Sequence, residues 1–503
     1  MRGDTTLGTR YSEAYMFWKR AKLPSQAVPT GIYSELTRWL PAERLITDPS
    51  ELRVYECDGL PLHKETPAAV ALCASRDEVV GVVRWCHEKR IPFVPRGAGT
   101  GLSGGATPVP RGVVIDVNRM RNILHIDLEN RYAIVQPGVI NIKLTQAVES
   151  QGYHYAPDPS SQKACTIGGN VAENSGGPHC LKYGMTADHI LGIEVVLPDG
   201  EIVRLGGPLA DNGSYDLVGL FVGTEGTFGI ITEVTVRLVP TPQATRTYLA
   251  IFDEMSRACR MVADITRQGI LPAALEILDQ RVIHAVEDSV FKAGYPKDAA
   301  AVLLVEIDGF EAGMLEEEES IKRIASDSHA IELRVAKDGK ERLQLWKGRK
   351  GAFGAMGRID TDLYVLDGVV PRTRLETVLQ EIYKIADTHG VKLSNVFHAG
   401  DGNLHPNISY DGRDPDERAR VFKAGREILE ACVKAGGSIS GEHGIGVEKM
   451  DFMPLLFTKE DMELQIDLRH AIDPHELSNP CKIFPDSKGC IEVGKRQAHM
   501  VPL

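Results

Sequence analysis

The chain has 503 residues, of which 43% are hydrophobic, and its 57 Lys and Arg against 69 Asp and Glu give a net charge of −12. This length predicts two or three domains, each with enough apolar side chains for its own core. The negative charge argues against a general binder of nucleic acid or of anionic membranes, so we expect no nucleic-acid partner.

No segment of the sequence is typical of membrane insertion or export. No apolar run approaches the roughly 18 residues that span a bilayer, and the N-terminus, MRGDTTLGTRYSEAY, is polar where a signal peptide needs an apolar stretch. We expect a cytoplasmic protein without a transmembrane segment, and any membrane association to be peripheral, through partners. The nine cysteines form no Cys-x-x-Cys pair, which favours reduced thiols over a disulfide framework or an iron–sulfur cluster.

The order of predicted elements divides the chain. From about Leu72 to Val239, short Val/Ile runs alternate with glycine-rich turns and helical segments, which predicts an α+β domain. Residues 239–243 contain two prolines, which interrupt helix and strand alike, and are interpreted as a linker. Strand-like and helical segments alternate again beyond it and predict a second unit. The last stretch of the chain is too short for a domain and is expected to fold back onto an earlier one.

Two glycine-rich loops stand out in the first unit, PRGAGTGLSGGATP at residues 95–108 and TIGGNVAENSGG at residues 166–177. Glycine allows an anion to lie directly against backbone N–H groups. The first loop follows an apolar run and has one fixed positive charge, Arg96. Neither loop matches the G-x-G-x-x-G fingerprint or the P-loop. Together they predict a surface shaped around a diphosphate, although each loop alone is equally compatible with tight turns and no ligand.

Side chains that bind metals or move protons concentrate in the second unit. His398 and His405 lie seven residues apart across a glycine-containing turn, and Glu442 lies beside His443. Two imidazoles and a carboxylate form a typical divalent site with open positions, although a His-x6-His spacing alone is more often incidental. His443 is then free to act as a general base for an alcohol proton, since imidazole has a pKa of about 6.5.

A basic segment precedes a predicted strand in the same unit. It contains Trp346, Arg349, Lys350 and Arg358. A guanidinium can hold a carboxylate through two parallel hydrogen bonds, which is the usual way to orient a small acid. For Lys350 and Arg358, a partly exposed basic helix end is the favoured interpretation.

Taken together, the motifs resemble a known family. They are PRGAGTGLSGG, PDPSS, TIGGNVAENSGG, KYG, GLFVGTEGTFGIITEV, FHAGDGNLHPN, SGEHGIG and NPCKIFP, in order between about Asp48 and Pro485. The chain resembles the FAD-linked oxidases of the vanillyl-alcohol oxidase type, in the branch of D-lactate, D-2-hydroxyglutarate and glycolate dehydrogenases, and most closely the flavoprotein subunits of the glycolate oxidase type.

The resemblance implies an α+β fold with a two-part FAD-binding domain and an antiparallel-sheet cap. The implied division is an N-terminal extension (1–47), the FAD-binding domain (48–240), a cap or substrate domain (241–445) and a C-terminal segment that returns to the FAD-binding domain (446–503).

The resemblance also implies the site residues. Arg349 would bind the substrate carboxylate, Asn407 would be a polar substrate contact and His443 the catalytic base. A divalent metal, zinc, manganese or iron, would lie at His398, His405 and Glu442. The implied FAD-binding residues are Arg96, Gly97, Ala98, Gly99, Thr100, Gly101, Ser103, Gly104, Pro157, Ser160, Thr166, Gly168, Gly169, Asn170, Asn174, Gly176, Gly177, Gly184, Ile230, Ile231 and Asn479.

Two departures from the family pattern refine these expectations. Gly99 and Thr100 stand where relatives with covalent flavin have a histidine, so FAD is expected to be held non-covalently. Val365 stands where the hydroxyglutarate enzymes and some lactate enzymes have a lysine. A second substrate carboxylate would therefore lack its partner, which favours a small monocarboxylic 2-hydroxy acid.

The implied activity is an FAD-dependent dehydrogenase that oxidises glycolate or D-lactate to the 2-oxo acid. Arg349 and the metal would anchor the substrate, His443 would take the hydroxyl proton, and the α-hydrogen would leave as hydride to flavin N5. The chain lacks cysteines spaced to bind an iron–sulfur cluster. Electrons are therefore expected to pass to a quinone or to partner subunits with an iron–sulfur cluster or a second flavin domain. The alternatives are an FAD-dependent alkyl transferase, a non-catalytic flavin-binding subunit and a flavin-free metal-dependent hydrolase, which would leave both loops unused.

Overall fold

The computed structural model describes residues 30–208 and 215–485. Residues 1–29 of the predicted N-terminal extension and residues 486–503 of the predicted C-terminal segment lie outside this range. The described residues form two units, one before and one after Pro240, and a C-terminal segment that contacts both.

The strands and α-helices of the first unit run from Leu45 to Pro240, after a 3-10 helix at Thr30–Arg38. Its strands are β1 (Leu45–Ile46), β2 (Ala69–Leu72), β3 (Phe93–Arg96), β4 (Val113–Asp116), β5 (Ile123–Asp127), β6 (Tyr132–Val135), β7 (Tyr153–His154), β8 (Ile190–Val196), β9 (Ile202–Gly206), β10 (Ile230–Arg237) and β11 (Val239–Pro240). Its α-helices are α1 (Pro49–Leu52), α2 (Arg76–Lys89), α3 (Asn141–Val148), α4 (Ile167–Glu173), α5 (Cys180–Tyr183) and α6 (Leu217–Phe221).

Two sheets make up most of this unit. Strands β2, β4 and β3 are parallel neighbours in a four-stranded sheet, with β1 antiparallel at one edge. The second sheet has the order β5-β6-β10-β8-β9 and is antiparallel. Val113, Val114 and Ile115 of β4 are buried, so apolar side chains lie on both faces of the strand, as in a covered parallel sheet. Because β3 ends at Arg96, the first glycine-rich loop leaves the carboxyl edge of the parallel strands, where α/β sheets commonly bind ligands.

The elements of the second unit follow in the chain. Its strands are β12 (Ala244–Phe252), β13 (Ala274–Asp279), β14 (Ala301–Gly309), β15 (Glu332–Val335), β16 (Asp362–Val365), β17 (Gly368–Val369), β18 (Lys392–His398), β19 (Asn403–Leu404) and β20 (Pro406–Tyr410). Its helices are α7 (Met255–Arg267), α8 (Gln280–Glu287), α9 (Glu311–Asp327), α10 (Gly339–Met356), α11 (Leu375–His389) and α12 (Pro415–Lys434), and α13 (Lys459–Ile472) belongs to the C-terminal segment.

A nine-stranded antiparallel sheet organises the second unit. Its order is β15-β12-β14-β13-β18-β19-β17, and β20 pairs with both β16 and β18. Along β12, Tyr248 and Ala250 face one hydrophobic core, whereas Leu249 and Ile251 face another. This alternation follows from the two-residue period of a strand, and it places helices on both faces of the sheet.

The C-terminal segment returns to the first unit. Phe93 N donates to the Leu477 carbonyl at 2.8 Å, and Asn479 N donates to the Phe93 carbonyl at 2.8 Å. Ser478 Oγ donates to the Gly226 carbonyl at 2.7 Å. The residues after α13 therefore lie along β3, beside the first glycine-rich loop. The predicted α+β class is confirmed by this architecture.

The structure bears on three further expectations from the sequence. Residues 239–243, which the sequence analysis interprets as a linker, begin with the short strand β11, which pairs with β7. Pro240 is tolerated in this strand because no N–H donor is needed at its position. Among the cysteines of the described residues, seven are free and Cys481 is disulfide-bonded, so the expectation of reduced thiols is wrong at that position. Among the helices of the described residues, none combines the length and apolarity needed to cross a membrane.

Candidate active site

A cavity of about 510 Å³ lies between the two units. This volume falls in the range of small-molecule and cofactor sites. The first unit contributes both glycine-rich loops, and the second contributes Arg349, His405 and Asn407. Residues 98–102 line it, and their backbone N–H groups donate to no other described residue. Free amides along a glycine-rich loop are suited to a phosphate anion.

The two loops pack tightly against each other. Thr166 caps α4 by accepting a hydrogen bond from Gly169 N at 3.3 Å. A Cβ on Gly97 would lie 2.5 Å from Thr166 Oγ1, and one on Gly168 would lie 2.5 Å from Pro137 Cβ. A side chain at Gly97 would therefore separate the two loops, and one at Gly168 would displace the second loop from Pro137. Together with the free amides, this backbone cradle fits a dinucleotide that lies against the main chain.

Most of the predicted FAD-binding residues line this cavity. They are Arg96, Gly97, Ala98, Gly99, Thr100, Gly101, Ser160, Thr166, Gly168, Gly169, Asn170, Gly176, Ile230 and Ile231.

The remaining seven residues of the predicted set lie outside the cavity wall; they are Ser103, Gly104, Pro157, Asn174, Gly177, Gly184 and Asn479. Asn479 Nδ2, for example, donates to the Gly105 and Glu225 carbonyls at 2.8 and 2.6 Å. Asn174 accepts a hydrogen bond from Ala187 N at 2.8 Å. Asn174 and Asn479 therefore hold the loops through contacts on the side away from the cavity.

The predicted metal ligands converge at one end of the cavity. Glu442 Oε1 lies 3.1 Å from His405 Nε2 and 3.4 Å from His398 Nε2. The two imidazole rings are perpendicular, with centroids 5.1 Å apart. Burial opposes the ionisation of Glu442, but the two neighbouring histidines outweigh it and hold the pKa of this carboxyl well below its usual range.

Hydrogen-bond acceptors at Nδ1 orient the imidazoles of His398 and His405 as metal ligands. His398 Nδ1 donates to Glu276 Oε1 at 2.8 Å, and His405 Nδ1 donates to the Leu366 carbonyl at 3.3 Å. Because an oxygen acceptor holds a proton on Nδ1, Nε2 is the atom that each ring directs towards Glu442 and offers to a metal. Such an orientation by outer partners is typical of metal-binding histidines. The donor set therefore fits a divalent cation.

Two buried carboxylates hold the loop that bears Glu442 and His443. Asp367 Oδ2 accepts from the His443 backbone N–H at 2.8 Å and pairs with Lys449 Nζ at 3.1 Å. From the first unit, Glu225 accepts hydrogen bonds from the N–H groups of residues 445 and 446, each at 2.7 Å. The loop is thus fixed from both units.

His443 lies beside the ligand cluster with its ring stacked on that of His405, the centroids 5.0 Å apart. Its Nε2 is 3.8 Å from Glu442 Oε1, and its Nδ1 has no hydrogen-bond partner in the part of the chain that the structure describes. Burial lowers the pKa of His443 to about 4. The imidazole is therefore neutral near pH 7.

Arg349 lies on α10 with its side chain buried against the same cluster. Its Nε donates to Glu276 Oε2 at 2.6 Å, and its Nη2 lies 3.3 Å from His398 Nδ1. The side chain also lines the cavity, so the guanidinium faces the ligand space from a fixed position. Lys350 instead pairs with Asp158 of the first unit at 3.0 Å, and Arg358 lines a separate groove.

Asn407 and Val365 lie opposite each other on paired strands β20 and β16, and both line the cavity. Asn407 Nδ2 donates to the His405 carbonyl at 2.6 Å, whereas its Oδ1 has no partner among the described residues. The apolar Val365 side chain offers no counter-ion at this wall.

Sequence reasoning missed three acidic residues of this site. Glu276 connects Arg349 to His398, while Asp367 and Glu225 hold the loop of His443. Glu276 and Asp367 are fully buried within or beside sheet strands. The sequence signal for such residues is a charged residue within an apolar strand pattern. A buried charge needs a partner in the interior, so it points to a polar site.

Comparison with known proteins places the chain in a family. The family model for the C-terminal domain of FAD linked oxidases matches residues 241–483, and the model for an FAD binding domain matches residues 67–206. The chain is 45% identical over 470 residues to glycolate oxidase subunit GlcD of Escherichia coli strain K12, covering 93% of this chain and 94% of that protein. The chain therefore belongs to the FAD-linked oxidase family, and it binds FAD.

Further relatives have related names. Glycolate oxidase subunit GlcD of Bacillus subtilis strain 168 is 42% identical, with 86% of this chain and 92% of that protein covered. The D-lactate dehydrogenase of Anaerostipes hadrus is 34% identical, with 84% and 90% covered. Among solved structures, p-cresol methylhydroxylase aligns with a TM-score of 0.78 at 18% identity, covering 92% of this chain and 98% of that one. This likeness shows the fold alone.

Proposed function

We propose that this chain is an FAD-dependent dehydrogenase that oxidises a small 2-hydroxy acid, glycolate or D-lactate, to the corresponding 2-oxo acid. One observation supports it most strongly. Glu442 Oε1 lies within 3.8 Å of the Nε2 atoms of three histidines, at the end of the cavity that Arg349 also lines. The relatives named as glycolate oxidase subunits and D-lactate dehydrogenases agree with this assignment.

The two groups that the site would hold supply different chemistry. FAD, held without a covalent link against the two glycine-rich loops, would supply the acceptor for the α-hydrogen of the substrate as hydride. His398, His405 and Glu442 would hold a divalent zinc, manganese or iron ion, which would make a nearby hydroxyl more acidic.

The side chains of the protein orient the substrate and move its proton. Arg349 binds the carboxylate, and its hydrogen bond to Glu276 fixes the guanidinium before the substrate arrives. His443 accepts the hydroxyl proton, because its imidazole lines the cavity beside Glu442 and is neutral near pH 7. The free Oδ1 of Asn407 accepts a hydrogen bond from the substrate. Loss of that proton and of the α-hydride leaves a carbonyl, so the product is a 2-oxo acid.

Val365 restricts the substrate to a monocarboxylic acid. It is buried, lines the cavity opposite Asn407, and is apolar. A second carboxylate at this wall would be desolvated without a counter-ion, which is costly. The site therefore discriminates against diacids.

The electrons must leave the chain after each turnover. Relatives are named as subunits, which supports membership of a multi-subunit complex. We propose that the acceptor is a quinone, or a partner subunit with an iron–sulfur cluster or a second flavin domain. Within this proposal the chain works in the cytoplasm and reaches a membrane only through its partners.

Anaerobic bleaching of the flavin tests the assignment. The holoprotein is mixed without oxygen with glycolate, with each enantiomer of lactate and with a 2-hydroxy diacid, and the flavin absorbance is followed. Glycolate or D-lactate should bleach the flavin and the diacid should not. No bleaching by any 2-hydroxy acid would contradict the proposal and favour chemistry without net oxidation, such as that of an alkyl transferase. The solved alkyldihydroxyacetonephosphate synthase has the same fold, with a TM-score of 0.71 at 19% identity, so the fold cannot separate the two activities.

A further inference from the structure

The side chain of Glu173 forms part of the cavity wall, at the last residue of α4. A Cβ on Gly105 would lie 2.8 Å from Glu173 Oε1, and one on Gly101 would lie 3.6 Å from it. The carboxyl group therefore contacts the glycine-rich loop whose free amides face the same cavity. No reaction step described above uses Glu173.

A second carboxylate, that of Glu225, lies next to Glu173. A Cβ on Gly444 would lie 2.5 Å from Glu173 Oε2 and 2.9 Å from Glu225 Oε1. Both carboxyl groups therefore lie against Gly444. Glu225 is itself occupied, because it accepts hydrogen bonds from the N–H groups of residues 445 and 446. Burial raises the pKa of Glu225 as well, but these two bonds oppose that shift, so Glu173 is the member of the pair that keeps its proton to higher pH.

Within residues 30–208 and 215–485, Glu173 forms no ion pair, and its Oε2 has no hydrogen-bond partner. The charged groups that face it are Glu225, Asp58 and Lys449. Lys449 is already paired with Asp367 at 3.1 Å. Burial, and then the charges of Glu225 and Asp58, raise the pKa of Glu173 well above its usual value.

We propose that Glu173 is a cofactor-binding residue that contacts FAD as an uncharged carboxylic acid. An ionised Glu173 would face the cofactor's negative diphosphate beside residues 98–102, with Glu225 and Asp58 behind it. A protonated Glu173 removes this repulsion and has one O–H donor for an anionic acceptor. The same loop has only one fixed cation, Arg96, whose side chain donates to the Cys57 carbonyl at 2.9 Å.

A proton is therefore part of the binding equilibrium. If only the protonated form of Glu173 binds FAD well, the dissociation constant of FAD stays constant at low pH and rises about tenfold per pH unit above the pKa of Glu173. The inference depends on FAD binding and not on the proposed reaction. Failure of the bleaching test would leave it standing, and its own failure would leave the dehydrogenase assignment untouched.

The test measures FAD release from the full-length holoprotein by flavin fluorescence after dilution, from about pH 6 to about pH 9. Wild type should show a rising dissociation constant towards alkaline pH. Glu173→Gln keeps the shape and a donor but cannot ionise, so it should bind FAD with an affinity that does not change across this range. Thermal unfolding of both apoproteins shows whether the variant is folded.

Glu225→Gln is the matched second variant. Removing the negative neighbour lowers the pKa of Glu173, so the alkaline loss of FAD should begin at lower pH than in wild type. Calorimetry in two buffers of different ionisation enthalpy gives an independent readout, with proton uptake on FAD binding in wild type and none in Glu173→Gln. Equal pH profiles for wild type and Glu173→Gln would overturn the proposal, as would equal proton uptake.

Discussion

Nδ1 of His398 lies 2.8 Å from Oε1 of Glu276, and both side chains are buried. The other oxygen of the same carboxylate accepts a hydrogen bond from Arg349 Nε at 2.6 Å. One residue of β13 therefore positions a proposed metal ligand and the proposed carboxylate-binding arginine. Metal binding and substrate binding are expected to depend on it together.

The variant Glu276→Gln tests this connection. An amide cannot accept from both Nδ1 of His398 and Nε of Arg349 as the carboxylate does, so we expect metal affinity to fall about 10- to 100-fold and the KM for the hydroxy acid to rise. Competition with a metal chelator measures the first quantity and steady-state kinetics the second. Glu287→Gln is the control, because Glu287 is also buried but bonds only backbone N–H groups of residues 293–295. If both variants keep wild-type metal affinity, the positioning role of Glu276 is wrong.

Replacing His443 by Asn tests the catalytic base. The amide cannot take the hydroxyl proton, so kcat is expected to fall by about two to four orders of magnitude while the flavin absorbance of the purified protein is retained. His189→Asn is a suitable control, since His189 is buried outside the cavity and bonds the Tyr183 carbonyl. Unchanged activity of the whole complex with His443→Asn would support a non-catalytic flavin-binding subunit.

The variant Val365→Lys tests substrate selection. A lysine on β16 opposite Asn407 would place an ammonium group at the cavity wall. We expect the ratio of kcat/KM for a five-carbon 2-hydroxy diacid over that for glycolate to rise at least about tenfold. Val365→Met has a similar length without the charge and should not change the ratio. The same gain in both variants would show that size, not charge, selects the substrate.

The buried pair of Asp367 and Lys449 is expected to stabilise the protein. Lys449→Met leaves the Asp367 charge without its counter-ion and should cost about 3–5 kcal/mol of unfolding free energy. The double variant Asp367→Asn, Lys449→Met should lose less than the sum of the single variants, measured by denaturant unfolding. Additive losses would mean that the two charges do not interact.

The same pair predicts the direction of a pH effect. Burial opposes ionisation of Asp367, but Lys449 outweighs it and holds the pKa of this carboxyl below its usual range. The resulting stability is present above the unfolded pKa of about 3.9 and is lost as the pH falls towards the folded value. Acid unfolding of wild type should therefore be steeper than that of Asp367→Asn, which has no charge to lose.

The sequence predicts the parts of the site that lie in contiguous motifs. The glycine-rich loop at residues 95–108 and the cluster of His398, His405 and Glu442 were predicted from local patterns, and the structure brings both to one cavity. Glu276 could not be assigned a role, because its partner His398 is 122 residues away in the chain. Its contacts arise only when β13 pairs with β18, which local spacing does not specify.

Removal and return of the metal test the central claim most directly. The holoprotein is treated with a chelator under conditions that retain FAD, and the rate of anaerobic flavin reduction by glycolate or D-lactate is measured before and after one divalent ion per chain is restored. The account predicts a fall in this rate of about 100-fold or more on removal, with recovery on addition of zinc, manganese or iron. A metal-free protein that reduces its flavin as fast as the untreated protein would contradict it.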